Sequence, residues 1–184
     1  RHIVSSPELD NNKIISSKKE VLIENVIEAI ENDHKVLIFV NYLSSIESIC
    51  NSLKENKIKF LKMTGQTKDR QSLVDKFQSD NRYKVFVMTL KTGGVGLNLV
   101  SADTIFIYDP WWNKTVENQA IDRAYRLGQD KTVFAYKMIM RNTIEEKILK
   151  LQEIKDKLLD DLISEDNLST KNLSKNDIEF ILGN

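Results

Sequence analysis

Five short apolar runs, each separated from the next by an amphipathic stretch, constrain the fold of this chain more than any other feature. The runs are VLIFV (36–40), IKFLKM (58–63), KVFVMT (84–89), TIFIYD (104–109) and VFAYKMI (133–139). A continuous apolar run of that length suits a strand buried on both faces, as in a parallel sheet. The stretches around them read as helices over 17–33, 44–56, 67–79, 115–127 and 143–163. In the first, Val21, Leu22, Val26, Ile27 and Ile30 recur at helical intervals. The last opens with a capping box, Thr143 to Glu146, and carries Ile144, Ile148, Leu151, Ile154, Leu158 and Leu162 on one side. Strands alternating with helices predict an α/β fold: a parallel sheet covered on both faces, with ligands bound at the carboxyl ends of its strands. Residues 1–163 form the expected domain, closed by helix 143–163. Residues 164–184 are expected to be a polar linker ending in a short helix at 177–182.

Composition narrows the chemistry by exclusion. In 184 residues, Lys plus Arg equals Asp plus Glu at 27 each, so any basic surface must be a local patch. One cysteine rules out an intrachain disulfide, and Cys50 falls with Ile46, Ile49 and Leu53 at core spacing. His2 and His34 have no ligand-spaced neighbours, so no metal site is expected. No apolar run is long enough to span a membrane. The first residue is Arg1, not Met, which is expected of an excised or processed segment.

Two stretches remain to carry function. In NQAIDRAYRLGQ (118–129), a helix would place Gln119, Arg123 and Arg126 in one narrow stripe bordered by Asp122. Ala120, Ile121, Ala124 and Leu127 would face a core, and Gly128 would stop the helix. The stripe suits either a solvated face paired locally by Asp122 or a pair of guanidiniums aimed at an anion. In TLKTGGVGLNLVSAD (89–103), three of the six glycines fall within four residues after a strand. Such glycines allow close backbone approach to a phosphate or ribose, or simply a tight turn. A P-loop is ruled out because no Gly-Lys pair occurs, and a dinucleotide fingerprint because Leu99 stands where its third glycine belongs. Outward arginines and a glycine loop without a triphosphate cradle make half of a nucleotide site. The other half, with the P-loop and an acidic Mg²⁺ ligand, must come from elsewhere, and the arginines would reach across to the γ-phosphate.

Taken as a unit, LKTGGVGLNLVSADTIFIYDPWWNKTVENQAIDRAYRLGQ (90–129) closely resembles the second RecA-like lobe of SWI/SNF-type DNA-translocating ATPases of helicase superfamily two. The glycine turn is similar to motif V of that family, and DPWWN with QAIDRAYRLGQ to its motif VI region. RHIVSSP, KVLIFVNY, MTGQTKDR and TIEEKILKLQEIKDKLL extend the resemblance to both ends. Lys114 stands where the family often has Pro, and Tyr125 where His is frequent.

The resemblance implies a C-terminal motor lobe of a duplex-DNA translocase or remodeller. Its partners would be an N-terminal RecA-like lobe of the same polypeptide, duplex DNA and a DNA-bound protein, with no membrane. ATP and Mg²⁺ would serve the whole protein, and this lobe alone would bind neither and be inactive. Arg123 and Arg126 are assigned to the ATP phosphates, with Gln119 placing them. Gly94, Gly96 and Asp122 would line the nucleotide side. Lys91, Thr92 and Gly93 would meet the DNA backbone beside Gly65, Gln66 and Thr67, and Trp111 or Trp112 would pack on DNA while the other joins the core. Arg70 is assigned a structural role at the start of its helix. The location implied is cytoplasmic and nucleoid-associated in a bacterium, or nuclear in a eukaryote. The rival readings are another superfamily-two motor, such as an RNA helicase or restriction translocase, and a non-catalytic nucleic-acid-binding module with this fold.

Overall fold

A computed structural model describes residues 17–93 and 96–163. Residues 1–16, Gly94, Val95 and the expected linker and helix of 164–184 lie outside them. The described chain runs α1 (Ser17–Glu31), β1 (Val36–Val40), α2 (Leu43–Glu55), β2 (Phe60–Met63), α3 (Arg70–Ser79), β3 (Val85–Thr89), a single helical turn α4 (Leu90–Gly93), β4 (Thr104–Ile107), α5 (Lys114–Ile121), β5 (Phe134–Lys137) and α6 (Ile144–Ile163).

All five strands are parallel, in the order β2-β3-β1-β4-β5. β1 lies at the centre, with Val36 opposite Val85 on one side and Thr104 on the other. Its alternation explains why the run is wholly apolar. Leu37 and Phe39 enter a core built with Phe77 of α3 and Ala120 of α5, while Val36, Ile38 and Val40 enter a second core with Leu22 and Val26 of α1 and Ile49 and Leu53 of α2. Each such side chain contributes about 1.5–3 kcal/mol by leaving water. Cys50 belongs to the second core, and burial pushes its thiol up to about 11, which is the behaviour of a filler and not of a nucleophile. β5 is an edge strand, and Phe134 and Tyr136 are each half exposed.

α6 differs from its sequence pattern. The face that docks is Glu145, Ile148 and Gln152, with Ile144 turned out to solvent. The side chains of Leu158 and Leu162 lie outside the described residues. Ammonium groups beneath α6 draw Glu145 and Gln152 inward beside Ile148, while Leu151 and Ile154 of the expected stripe are half-buried. Lys18 of α1 meets Glu145 at 2.6 Å with both side chains buried, and Lys114 of α5 pairs with Asp156. The helix start is a shifted capping box: Thr143 Oγ1 accepts from the Glu145 N–H, and the Glu146 carboxylate accepts from the Asn142 N–H.

Candidate functional site

The sheet order reverses at β1, because the chain leaves β1 toward β2 and leaves β4 toward β5. Ligands of open α/β sheets bind at such a point, beyond the carboxyl ends of the strands. Here Asn41, just past β1, donates from its N–H to Asp109 Oδ2 at 3.0 Å and from its side-chain amide to the Asp109 carbonyl at 2.6 Å. Asp109 is buried. The pair ties the two diverging loops together and forms the floor of the site.

Beside it lies a cleft of about 340 Å³ whose lining includes Asn41, Gly65, Arg70, Lys91, Thr92 and Trp111. Four residues expected to face DNA are therefore brought together from the ends of β2, β3 and β4. Lys91 is exposed, carried on α4, while Thr92 is buried with its hydroxyl 2.5 Å from that of Thr89. The Gly65–Thr67 loop is held internally by Thr64 N–H donating to Thr67 Oγ1 and Gln66 N–H donating to Thr64 Oγ1. Arg70 braces it from outside, donating to the carbonyls of Thr67 and Gly65 at 3.4 and 3.3 Å. This is a structural role at a helix start. The two tryptophans divide: Trp111 is half-buried and packs on the core, whereas Trp112 is exposed with Lys155 Nζ 4.8 Å from its ring centre.

The arginines stand differently from the sequence expectation. α5 is capped by Asn113 and ends at Ile121, so it carries Gln119 but neither arginine. Arg123 and Arg126 lie in the turns that follow. Tertiary partners claim the carbonyls that a continuing helix needs. The Leu99 N–H donates to the Arg123 carbonyl at 2.9 Å, and Gln129 Nε2 reaches the carbonyls of Val100, Ala102 and Ala124. Gly128, at φ +99°, turns the chain back so that Gln129 can do so. The expected stripe of Gln119, Arg123 and Arg126 on one helix is thus replaced by a helix end and a pinned turn. Leu127 is wholly exposed, not packed, and Tyr125 is 71% exposed beside Arg126. Arg123 is half-buried, and Gln119, Asp122 and Arg126 are exposed. Gly96 takes φ +55°, a conformation that disfavours any side chain, while Leu97 and Leu99 anchor the glycine loop in the core. Gly94 lies outside the described residues.

Sequence reasoning missed Glu117, Gln129 and Gln152. Glu117 is fully buried, 2.6 Å from Lys137. The helical spacing of 117, 120 and 124 places it on the buried face and could have found it. The exposed Arg126, the half-buried Arg123 and the positive-φ Gly96 suit a phosphate of ATP. Among the described residues no group of three or more His, Cys, Asp or Glu side chains could hold Mg²⁺.

A parallel sheet in this order, with the loop that follows β3 bonded through Leu99 to an arginine turn, defines a RecA-like lobe. Residues 17–128 match the helicase conserved C-terminal domain, and the chain belongs to that family. Its relatives are SWI/SNF-type ATP-dependent helicases. It is 39% identical over 173 residues to an uncharacterized ATP-dependent helicase of Mycoplasma pneumoniae, covering 90% of this chain and 16% of that protein. It is 38% identical over 148 residues to the helicase SWR1 of Cryptococcus neoformans, covering 79% of this chain and 12% of that protein. The solved C-terminal part of the Fun30 ATPase domain superposes with a TM-score of 0.72 at 33% identity, over 82% of this chain and 54% of that one. The chain thus spans about a sixth or less of the length of these two helicases.

Proposed function

We propose that this chain is the C-terminal motor lobe of an ATP-dependent duplex-DNA translocase that remodels protein–DNA complexes. The observation that carries the reading is the arginine turn. It is pinned to the glycine loop through Leu99, yet it leaves Arg126 exposed between the uncovered side chains of Tyr125 and Leu127. An exposed cation flanked by two uncovered side chains, on a backbone bonded to the core, suits being covered by a partner. The partner is the N-terminal lobe of the same motor, which supplies the phosphate cradle and the Mg²⁺ ligand.

Arg126 and Arg123 meet the phosphates of the shared ATP, with Gln119 placing them and Asp122, Gly94 and Gly96 lining that side. Bound ATP and Mg²⁺ would supply the phosphoryl chemistry; this lobe contributes cations carried on a turn whose backbone is pinned. In the cleft, Lys91, the backbone at Thr92 and Gly93, and the Gly65–Gln66–Thr67 loop hold the DNA phosphates, with Trp111 and Trp112 alongside. Backbone contacts of this kind position without reading sequence.

The test is nucleotide hydrolysis by the intact protein with and without nucleic acid. Stimulation by duplex DNA well above that by RNA supports the reading. RNA-dependent turnover would replace it with an RNA helicase, and absence of any ATPase activity with a binding module. The chain 1–184 alone should turn over no ATP.

A further inference from the structure

The backbone of Trp111 is gripped from two sides. Its N–H donates to Glu117 Oε1 at 2.6 Å, and its carbonyl accepts a short bond from Gln152 Nε2. The two gripping side chains come from α5 and α6, and Lys137 of β5 joins them, with Nζ 2.6 Å from Glu117 Oε2 and 3.0 Å from Gln152 Oε1. Glu117 and Gln152 are both buried. Three elements therefore close a ring on one residue of the Trp loop.

Stability does not account for this ring, because buried ion pairs are commonly matched by apolar residues of similar volume. What apolar residues could not do is fix a backbone donor and a backbone acceptor at once. The same turn of α6 also places Lys155 over the Trp112 ring and pairs Asp156 with Lys114, the first residue of α5. The Trp111 side chain lines the cleft with Lys91 and Arg70. We propose that Glu117, Lys137 and Gln152 are positioning residues for Trp111, so that docking of α6 sets the wall of the DNA cleft. The consequence for DNA rests on the proposed function; the ring itself does not.

Trp111 and Trp112 are the two tryptophans of the chain, so Trp112→Phe leaves Trp111 as the sole reporter. In that background Gln152→Glu keeps an acceptor for Lys137 but removes the donor to the Trp111 carbonyl. The gripped-to-released ratio of the loop should fall by about 5- to 150-fold, the effect of leaving one buried acceptor unmet. Acrylamide quenching of Trp111 should rise and its emission shift to the red, with helix content retained. Lys137→Met should act in the same direction. Affinity for a short duplex at low salt should fall with the quenching. Unchanged quenching in both variants overturns the proposal, and so does altered quenching with unaltered duplex affinity. If quenching responds but the parent chain binds no duplex DNA, the functional reading fails and the ring stands. Amide exchange supplies a check in the unsubstituted chain: the Trp111 N–H should be protected as well as those of β4, and rapid exchange there would also overturn the ring.

Discussion

The amide of Leu99 donates to the carbonyl of Arg123 at 2.9 Å, which makes the glycine loop and the arginine turn one mechanical unit. Gln129 completes that unit from below by spanning the carbonyls of Val100, Ala102 and Ala124 with one side-chain nitrogen. Gln129→Ala should cost about 1–3 kcal/mol, since partly buried acceptors lose their donor. Urea denaturation of the chain reads this cost. A change in unfolding free energy of less than a few tenths of a kcal/mol would show that the turn is held otherwise.

A second prediction concerns acid. Burial alone would raise the Asp103 carboxyl, but the His34 imidazole and the Lys131 ammonium, each 3.0 Å away, outweigh it and hold the group below its ordinary value. A carboxylate with a depressed folded pKa stabilises the fold above its unfolded value of about 3.9, and this contribution is lost as pH falls through the lower folded value. Asp103→Asn should therefore destabilise the chain at pH 7, and the gap from the parent should close progressively below about pH 4. A gap independent of pH would remove the charge from the explanation.

A third concerns Lys18 and Glu145, which join α1 to α6. Burial pushes the Lys18 ammonium below its ordinary value while Glu145 opposes the shift. Lys18→Met alone strands a buried carboxylate and should cost about 3–5 kcal/mol. Adding Glu145→Leu should recover much of that loss. Recovery stays incomplete because the Met140 N–H also donates to Glu145. Thermal unfolding of the two single variants and the double variant tests the cycle; strict additivity would contradict it.

The residues show where sequence was sufficient and where it was not. β1 was legible because a central parallel strand must be apolar on both faces, and Val36–Val40 meets that demand within five residues. The strand order was not legible, since alternation fixes direction but not neighbours. The helix ending at Ile121 was misjudged because the carbonyls of Arg123 and Ala124, which a longer helix would have used, go instead to the Leu99 N–H and the Gln129 side chain. The same holds for α6, where Glu145 and Gln152 of the docking face meet lysines on two other elements, Lys18 and Lys137. In the site, the residue types were legible as motifs. Their division between an exposed arginine turn and a Trp-walled cleft required the fold.

The central claim is that Arg126 stabilises the transition state of ATP hydrolysis across the lobe interface. Arginine fingers contribute about 10³–10⁵ in rate in worked cases of phosphoryl transfer. A surface ion pair is worth at most about 1 kcal/mol, so the two roles differ widely in expected effect. Arg126 is exposed, and its loss should leave the lobe folded. The decisive measurement is DNA-stimulated ATP turnover by the intact protein carrying Arg126→Ala, alongside its ATP affinity and the melting temperature of the lobe. The account predicts that turnover falls by about three orders of magnitude or more while affinity and melting change little, and that Arg126→Lys does not rescue because an ammonium lacks the planar fork. Retention of most of the turnover in Arg126→Ala would contradict it.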